Sequence, residues 1–344
     1  MGEKGRGGLS LTWRYLAVRV TALAVLLGLT VWVAWTEINH WRHDPEALRG
    51  SVTVVLARGE SLKEFAGKLA EAGVLSRPRL WQLLARLDPD QSFIKAGEYR
   101  LSDQDTPATL LARLRAHDVV RHRITLIEGW TLREVLGALA RHPIVRQTLG
   151  ADARQALGLA LNLPRENPEG LFFPDTYVFE RGASDLDILR RAHDRMNAVL
   201  ARAWAQRQPD LPLKDPYGAL ILASIIEKET GRAEDRGFVA QVFVNRLRLG
   251  MRLQTDPTVI YGLGDRFDGD LTRAHLAEDT PYNTYRRAGL PPTPIAMPGL
   301  ASLEAALAPP AGDLLYFVSR GDGTTAFSST LDAHNRAVRE FQLR

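Results

Sequence analysis

The sequence predicts an α+β protein: a single N-terminal transmembrane helix, a small α+β domain, then a larger, mostly helical domain with small β elements. Three observations carry this. Residues 20–35 contain no charged side chain and are almost wholly apolar. Residues 51–118 alternate strand-like and helix-like patterns between turn residues. From about residue 185 the period becomes helical, around the apolar run 216–226. A chain of 344 residues allows two or three domains, each with its own core.

The first element is the anchor. Extended back to Tyr15 and on to Glu37, with Arg19 snorkelling, the apolar run reaches the roughly 20 residues a bilayer requires. Trp32, Trp35 and Trp41 gather at its far end, where interfacial aromatics belong. Lys4, Arg6, Arg14 and Arg19 precede or open it against a single acid, Glu3. The positive-inside rule therefore puts residues 1–14 in the cytoplasm and everything after about Asn39 across the membrane. A cleaved signal peptide is the alternative, but the run is long for one and no small-x-small site follows it cleanly. Residues 38–50 read as a linker.

In the small domain, residues 52–56 form a strand, 58–60 a turn, and Ser61 caps a helix that Gly73 ends. A second helix spans 77–87, a strand 94–101, and an amphipathic helix 107–116. This strand-helix-helix-strand order, with Gly59-Glu60-Ser61-Leu62 after the first strand, resembles the LysM family of glycan-binding modules. An ordinary α+β packing domain is the alternative. The run Gly59-Glu60-Ser61-Leu62-Lys63-Glu64-Phe65 is echoed by Gly129-Trp130-Thr131-Leu132-Arg133-Glu134-Val135, which predicts the same strand-turn-helix unit twice. Residues 119–344 form the larger domain. A strand at 123–127 leads to helices at 185–207, 216–230 and 235–249. A hairpin of 314–319 and 324–328 turns at Gly321-Asp322-Gly323, and a last helix starts near Leu331.

Composition excludes several chemistries. The net charge is +4 and the basic residues are spread along the chain, which gives nucleic acid no patch. With no cysteine there is no disulfide, thiolate metal site or thiol nucleophile. The eight histidines are scattered, there is no phosphate-binding loop and no Gly-x-Ser-x-Gly elbow, and Asp265, Asp268 and Asp270 read as a turn rather than a calcium site. No metal or cofactor is expected.

What remains is acid–base chemistry. Asp215 caps and Pro216 opens the apolar helix that ends in Glu227-Lys228-Glu229-Thr230. Glu227 follows Leu220, Ala223 and Ser224 at helical spacing and continues their stripe, while Glu229 points elsewhere. A carboxyl that is partly desolvated at a helix C-terminus has a raised pKa, which suits a general acid. A solvated helix end or a salt-bridge partner is the plainer reading of the same residue. Around it, Gln254, Thr255 and Asp256 enter a helix at Pro257; Asp256 reads as its N-cap, leaving Gln254 and Thr255 to bond a sugar. Tyr282, Asn283 and Tyr285 precede a loop stiffened by Pro291, Pro292, Pro294 and Pro298, and can form a carbohydrate wall; a proline-rich surface loop with core tyrosines is the alternative. Glu169, with Phe172, Phe173 and Tyr177 nearby, is a further candidate.

These blocks stand together. The Glu227 segment, Asn245-Arg246-Leu247, the run from Leu253 through Gln254-Thr255-Asp256-Pro257 to Gly262, Tyr282-Asn283-Thr284-Tyr285 and Gly289-Leu290-Pro291-Pro292 resemble the YceG-like family, the endolytic murein transglycosylases. Glu169-Gly170 and Phe173-Pro174-Asp175-Thr176-Tyr177 match as well. Thr293 and Met297 depart from the family's usual Gly and Asn and put the loop's geometry in question. The resemblance implies Glu227 as the catalytic residue; Glu169, Glu229, Gln254, Thr255, Asp256, Tyr282, Asn283 and Tyr285 are the candidate substrate contacts around it. It also implies a single-pass inner-membrane protein with a periplasmic catalytic domain. That domain would cut the MurNAc–GlcNAc bond of nascent peptidoglycan, leave 1,6-anhydro ends, and work near the synthases. A muramidase-like hydrolase and a non-enzymatic wall-binding protein are the rivals.

Overall fold

The computed structural model describes residues 8–48, 50–87, 95–150, 152–163 and 167–342. They form two compact units, Met1–Arg121 and His122–Arg344.

In the first unit, helix α1 (Gly8–Arg42) is long and apolar enough to cross a membrane over Trp13–Arg42, and none of its most apolar stretch is buried. It extends into the expected linker. Trp41 is consequently no interfacial residue. It is buried in the unit's core, and its indole N–H donates to Ser76 Oγ at 3.2 Å. The residue type that marks an interface also fills a core, and only the partner decides. Trp41→Phe keeps the bulk but orphans that bond, and should cost about 1–2 kcal/mol in a urea melt of this unit.

Strand β1 (Val52–Leu56) pairs antiparallel with β2 (Gly97–Leu101), Val52 opposite Leu101. The expected start of β2 at Ile94 lies outside the described residues. Two strands alone are marginal. They are backed by α2 (Leu62–Glu71), α3 (Pro78–Leu87) and α4 (Pro107–Ala116). Phe65 and Trp81 pack at 6.3 Å between ring centres, and Trp81 donates its indole N–H to Pro107 O at 3.0 Å.

Strand β3 (Arg121–Thr125) leads into the second unit and pairs with β4 (Thr176–Glu180). The sequence echo is structural. Ser61 with Glu64 and Thr131 with Glu134 both form capping boxes, opening α2 and α5 (Leu132–Arg141), and the preceding Gly59 and Gly129 have φ of 80° and 78°. Helices α6 (Ala153–Ala160) and α7 (Asp185–Ala205) follow. Helix α8 (Pro216–Glu229) forms as expected, with Asp215 Oδ1 accepting from Gly218 N at 2.8 Å. Every residue from Ala219 to Ile226 is buried, because α7, α9 (Ala233–Arg248) and α12 (Leu300–Leu307) surround it. Helices α10 (Asp256–Leu263) and α11 (Arg273–Ala277) carry the polar blocks, and the hairpin β5 (Tyr316–Ser319)–β6 (Thr325–Ser328) supports α13 (Leu331–Phe341). Inside the unit, buried Ser224 accepts from Ile295 N at 3.0 Å, fixing the proline-rich loop to α8.

Candidate active site

The last turn of α8 sends its two glutamates to different places. Glu227 is half-buried, and its Oε2 accepts from Gly299 N, the N-cap residue of α12, at 2.9 Å. The turn before α5 packs beside it. Gly129 N donates to Met297 O at 2.9 Å, Met297 N donates to Trp130 O at 2.7 Å, and Lys228 Nζ donates to Gly129 O at 3.2 Å. Glu128 lies against the Gly299 α-carbon, and its pKa is raised by desolvation and then by the Glu227 charge. Glu227 thus helps hold the 297–299 loop.

Glu229 faces a cavity of about 620 Å³ with Arg246, Gln254, Asp256, Tyr285 and Tyr316, closed on one side by a face of α13. Burial pushes its carboxyl up to about 7; the hydrogen bond from Thr255 Oγ1 works against that, and the Asp256 charge adds to it. Thr255 is buried and held in turn, its N–H donating to Thr284 Oγ1 at 3.1 Å. Gln254 sits in the left-handed region at φ 52°, with its N–H on Thr284 O at 3.2 Å. Asp256 is not the N-cap that the sequence favours. Thr255 occupies that position without a side-chain cap bond, and Asp256 opens the helix with Oδ1 accepting from Tyr285 Oη at 2.6 Å. Burial and Asp256 both raise the Tyr285 phenol.

The other expected contacts lie elsewhere. Glu169 is fully buried; Oε1 accepts from Leu132 N at 2.7 Å and Oε2 from Tyr261 Oη at 3.0 Å, so it caps α5. Burial raises its pKa. It borders a separate cavity of about 550 Å³ with Tyr261 and Tyr282. Tyr282 Oη lies 2.9 Å from Thr293 Oγ1, which gives the unusual threonine a packing role. Asn283 is fully buried. Its Nδ2 donates to Leu276 O at 3.1 Å and Glu278 O at 2.6 Å, and its Oδ1 accepts from Tyr285 N at 2.9 Å. Its expected role as a sugar contact is therefore replaced by a structural one: the amide ties α11 to the Tyr285 turn. Four expected residues, Glu229, Gln254, Asp256 and Tyr285, converge on one cavity with Thr255 behind them. Arg246, Tyr316, His334 and Asn335 line it unforeseen; Arg246 stood in a recognised block, but nothing marked its direction.

A carboxyl poised near neutrality at the end of a buried helix, inside a polar cavity, has what general acid–base chemistry needs. Comparison with known proteins narrows this. The sequence model of the YceG-like family matches residues 54–340. An endolytic murein transglycosylase of Bacillus subtilis is 30% identical over 309 residues, covering 85% of each chain. One from Streptococcus pneumoniae is 26% identical over 323 residues, covering 84% of this chain and 58% of its own length. A crystal structure of a YceG-like protein from Listeria monocytogenes superposes with a TM-score of 0.54 at 30% identity, covering 83% of this chain and 98% of that one. The chain belongs to the YceG-like family.

Proposed function

We propose that the chain is a membrane-anchored endolytic murein transglycosylase in which Glu229, rather than Glu227, is the general acid and then the general base. The observation that carries this is the enclosure of the Glu229 carboxyl, raised to about 7, in the cavity with Gln254, Asp256 and Tyr285. Protonated Glu229 gives its proton to the oxygen joining MurNAc C1 to GlcNAc, and the C1–O bond breaks. The Glu229 carboxylate then takes the proton of the MurNAc C6 hydroxyl as that oxygen bonds to C1. The 1,6-anhydro ring closes and the acid is regenerated. Thr255 orients the carboxyl, and Gln254 and Tyr285 supply sugar contacts.

The curated relatives bearing this activity in their names support the reading. Helix α1 serves as the anchor, with residues 1–14 in the cytoplasm and both units periplasmic, near the synthases. Residues 51–118, whose strand-helix-helix-strand order recurs in the first unit, act as a LysM-like glycan-binding domain ahead of the catalytic residues 119–344. Removing residues 1–38 retains Trp41 and should release an active protein from the membrane fraction; a fragment that still sediments with membranes would overturn the single-anchor topology.

The products decide between this reading and hydrolysis. Strands cut in heavy-oxygen water should carry no label at their new ends and weigh one water less than hydrolysis products. Label at the new ends would make the protein a muramidase. Asp256 is the other carboxylate lining the cavity and so the candidate for that rival, but the Tyr285 hydroxyl occupies one of its oxygens.

A further inference from the structure

The Glu229 cavity holds a cation that the proposed reaction does not use. Arg246, on α9, is only 8% exposed yet lines the cavity wall. A buried guanidinium is ordinarily matched by a carboxylate. Among the described residues no carboxylate lies within ion-pair distance of Arg246; its partners are neutral oxygens. Its Nε donates to Leu315 O at 2.7 Å, and its Nη1 to Leu253 O at 2.8 Å, with longer bonds to Arg252 O at 3.3 Å and Gln254 Oε1 at 3.4 Å. Nη2 donates to none of the described residues. The guanidinium also lies over the Tyr316 ring, 5.2 Å from its centre. Carbonyls on two segments and an aromatic face fix the plane of the group, so the remaining fork is pre-oriented rather than free to search.

We infer that Arg246 is a substrate-binding residue whose Nη2 donates to an acyl oxygen of the glycan, a carbonyl or carboxylate on the sugar's side groups, and that it thereby selects acylated saccharides over plain ones. The inference rests on the Glu229 cavity being the glycan site. Sugar hydroxyls can be met by amides and phenols, which Gln254 and Tyr285 already provide. A desolvated cation is matched by the stronger acceptor, an acyl oxygen. Burial lowers the Arg246 pKa, as expected of a charge held without a counterion. Two groups of the substrate carry this chemistry: the acetamido carbonyl of every sugar, and the lactyl group of the muramoyl residue, an amide carbonyl when the stem peptide is attached and a carboxylate when it is not.

The test uses the full-length protein and three ligands: peptide-bearing strands, strands stripped of peptide, and chitin-type oligosaccharides, which carry acetamido but no lactyl groups. Arg246→Gln should weaken binding or raise KM by roughly 10–100-fold, the scale of one charge-assisted bond, with a smaller change in kcat. Arg246→Lys keeps the charge and the long stem, should fold where the Gln variant does not, and should recover part of the affinity. A loss shared by all three ligands assigns the acetamido oxygen. A loss confined to muramoyl strands assigns the lactyl oxygen, and a greater loss on stripped strands its carboxylate. Folded variants with unchanged affinity for every ligand would overturn the inference, as would a fall in kcat alone. Glu229→Gln, run in parallel, separates the premises. If it binds glycan but does not cut it while Arg246 variants bind normally, only the role of Arg246 fails; if it cuts normally, the reading of the cavity fails.

Discussion

Glu229→Gln should reduce glycan cleavage by at least about 100-fold while leaving the fold intact, because the amide matches the carboxyl in shape but cannot exchange the catalytic proton. Glu227→Gln is the paired control. Its amide oxygen can still accept from Gly299 N, so it should keep most of the activity and lose only a little stability. The opposite ranking would restore Glu227 as the acid. The wild-type rate should fall as pH rises past about 7, where the Glu229 carboxyl loses its proton. Stability follows the same direction. The folded protein holds this proton up to about 7, whereas the unfolded chain releases it near 4.5, the ordinary value of a glutamate carboxyl. Between those values the native state binds more protons, so the contribution of Glu229 to stability is lost as pH rises through that window. Melting temperatures measured across it should decline in the wild type and flatten in Glu229→Gln.

Gly170→Val should destabilise the second unit by at least about 3 kcal/mol, combining overpacking with a β-branched residue in the left-handed region. Gly170 has φ of 79°, and an added side chain would run into the Pro294 ring and the Ala296 carbonyl. That loop is the one Ser224 and Glu227 hold through Ile295 N and Gly299 N. The loss should therefore appear in both thermal melting and activity. Gly158→Ala is the control, since a Cβ there meets no atom within 4 Å and the helix should tolerate it or gain slightly. Equal melting temperatures for the two variants would refute the packing argument.

Helix α8 and the small βααβ unit were legible because their signals are local: Asp215-Pro216 before an apolar run, Ser61 before an amphipathic one, Gly73 after it. The choice between Glu227 and Glu229 was not. A stripe argument identifies the buried face of a half-exposed helix. Helix α8 is buried on every side from Ala219 to Ile226, so its pattern carries no direction. Which glutamate meets the cavity is settled by α9, the 252–256 segment and α13, whose arrival depends on tertiary packing. Asn283 fails for a related reason. The carbonyls its amide holds lie in α11 and at its C-cap, a five-residue helix whose pattern is too short to announce itself. Asp256 reads as a cap in isolation, and only the approach of Tyr285 shows what its carboxylate does.

The continuity of α1 has a mechanical consequence. Because the helix runs unbroken to Arg42 and Trp41 is locked among the core side chains, the first unit is mounted on a rigid post rather than a tether. Trp41 lies four residues past the expected bilayer exit at 37, about 6 Å of helix. With α1 as the anchor proposed above, a unit mounted so closely would not search the depth of the wall. It would sweep a shallow zone just above the lipid, and any tilt of the post would tip the unit with it. Glycan would be met where it is freshly made, and inserting a flexible segment at residues 38–40 should widen the zone without touching the cavity.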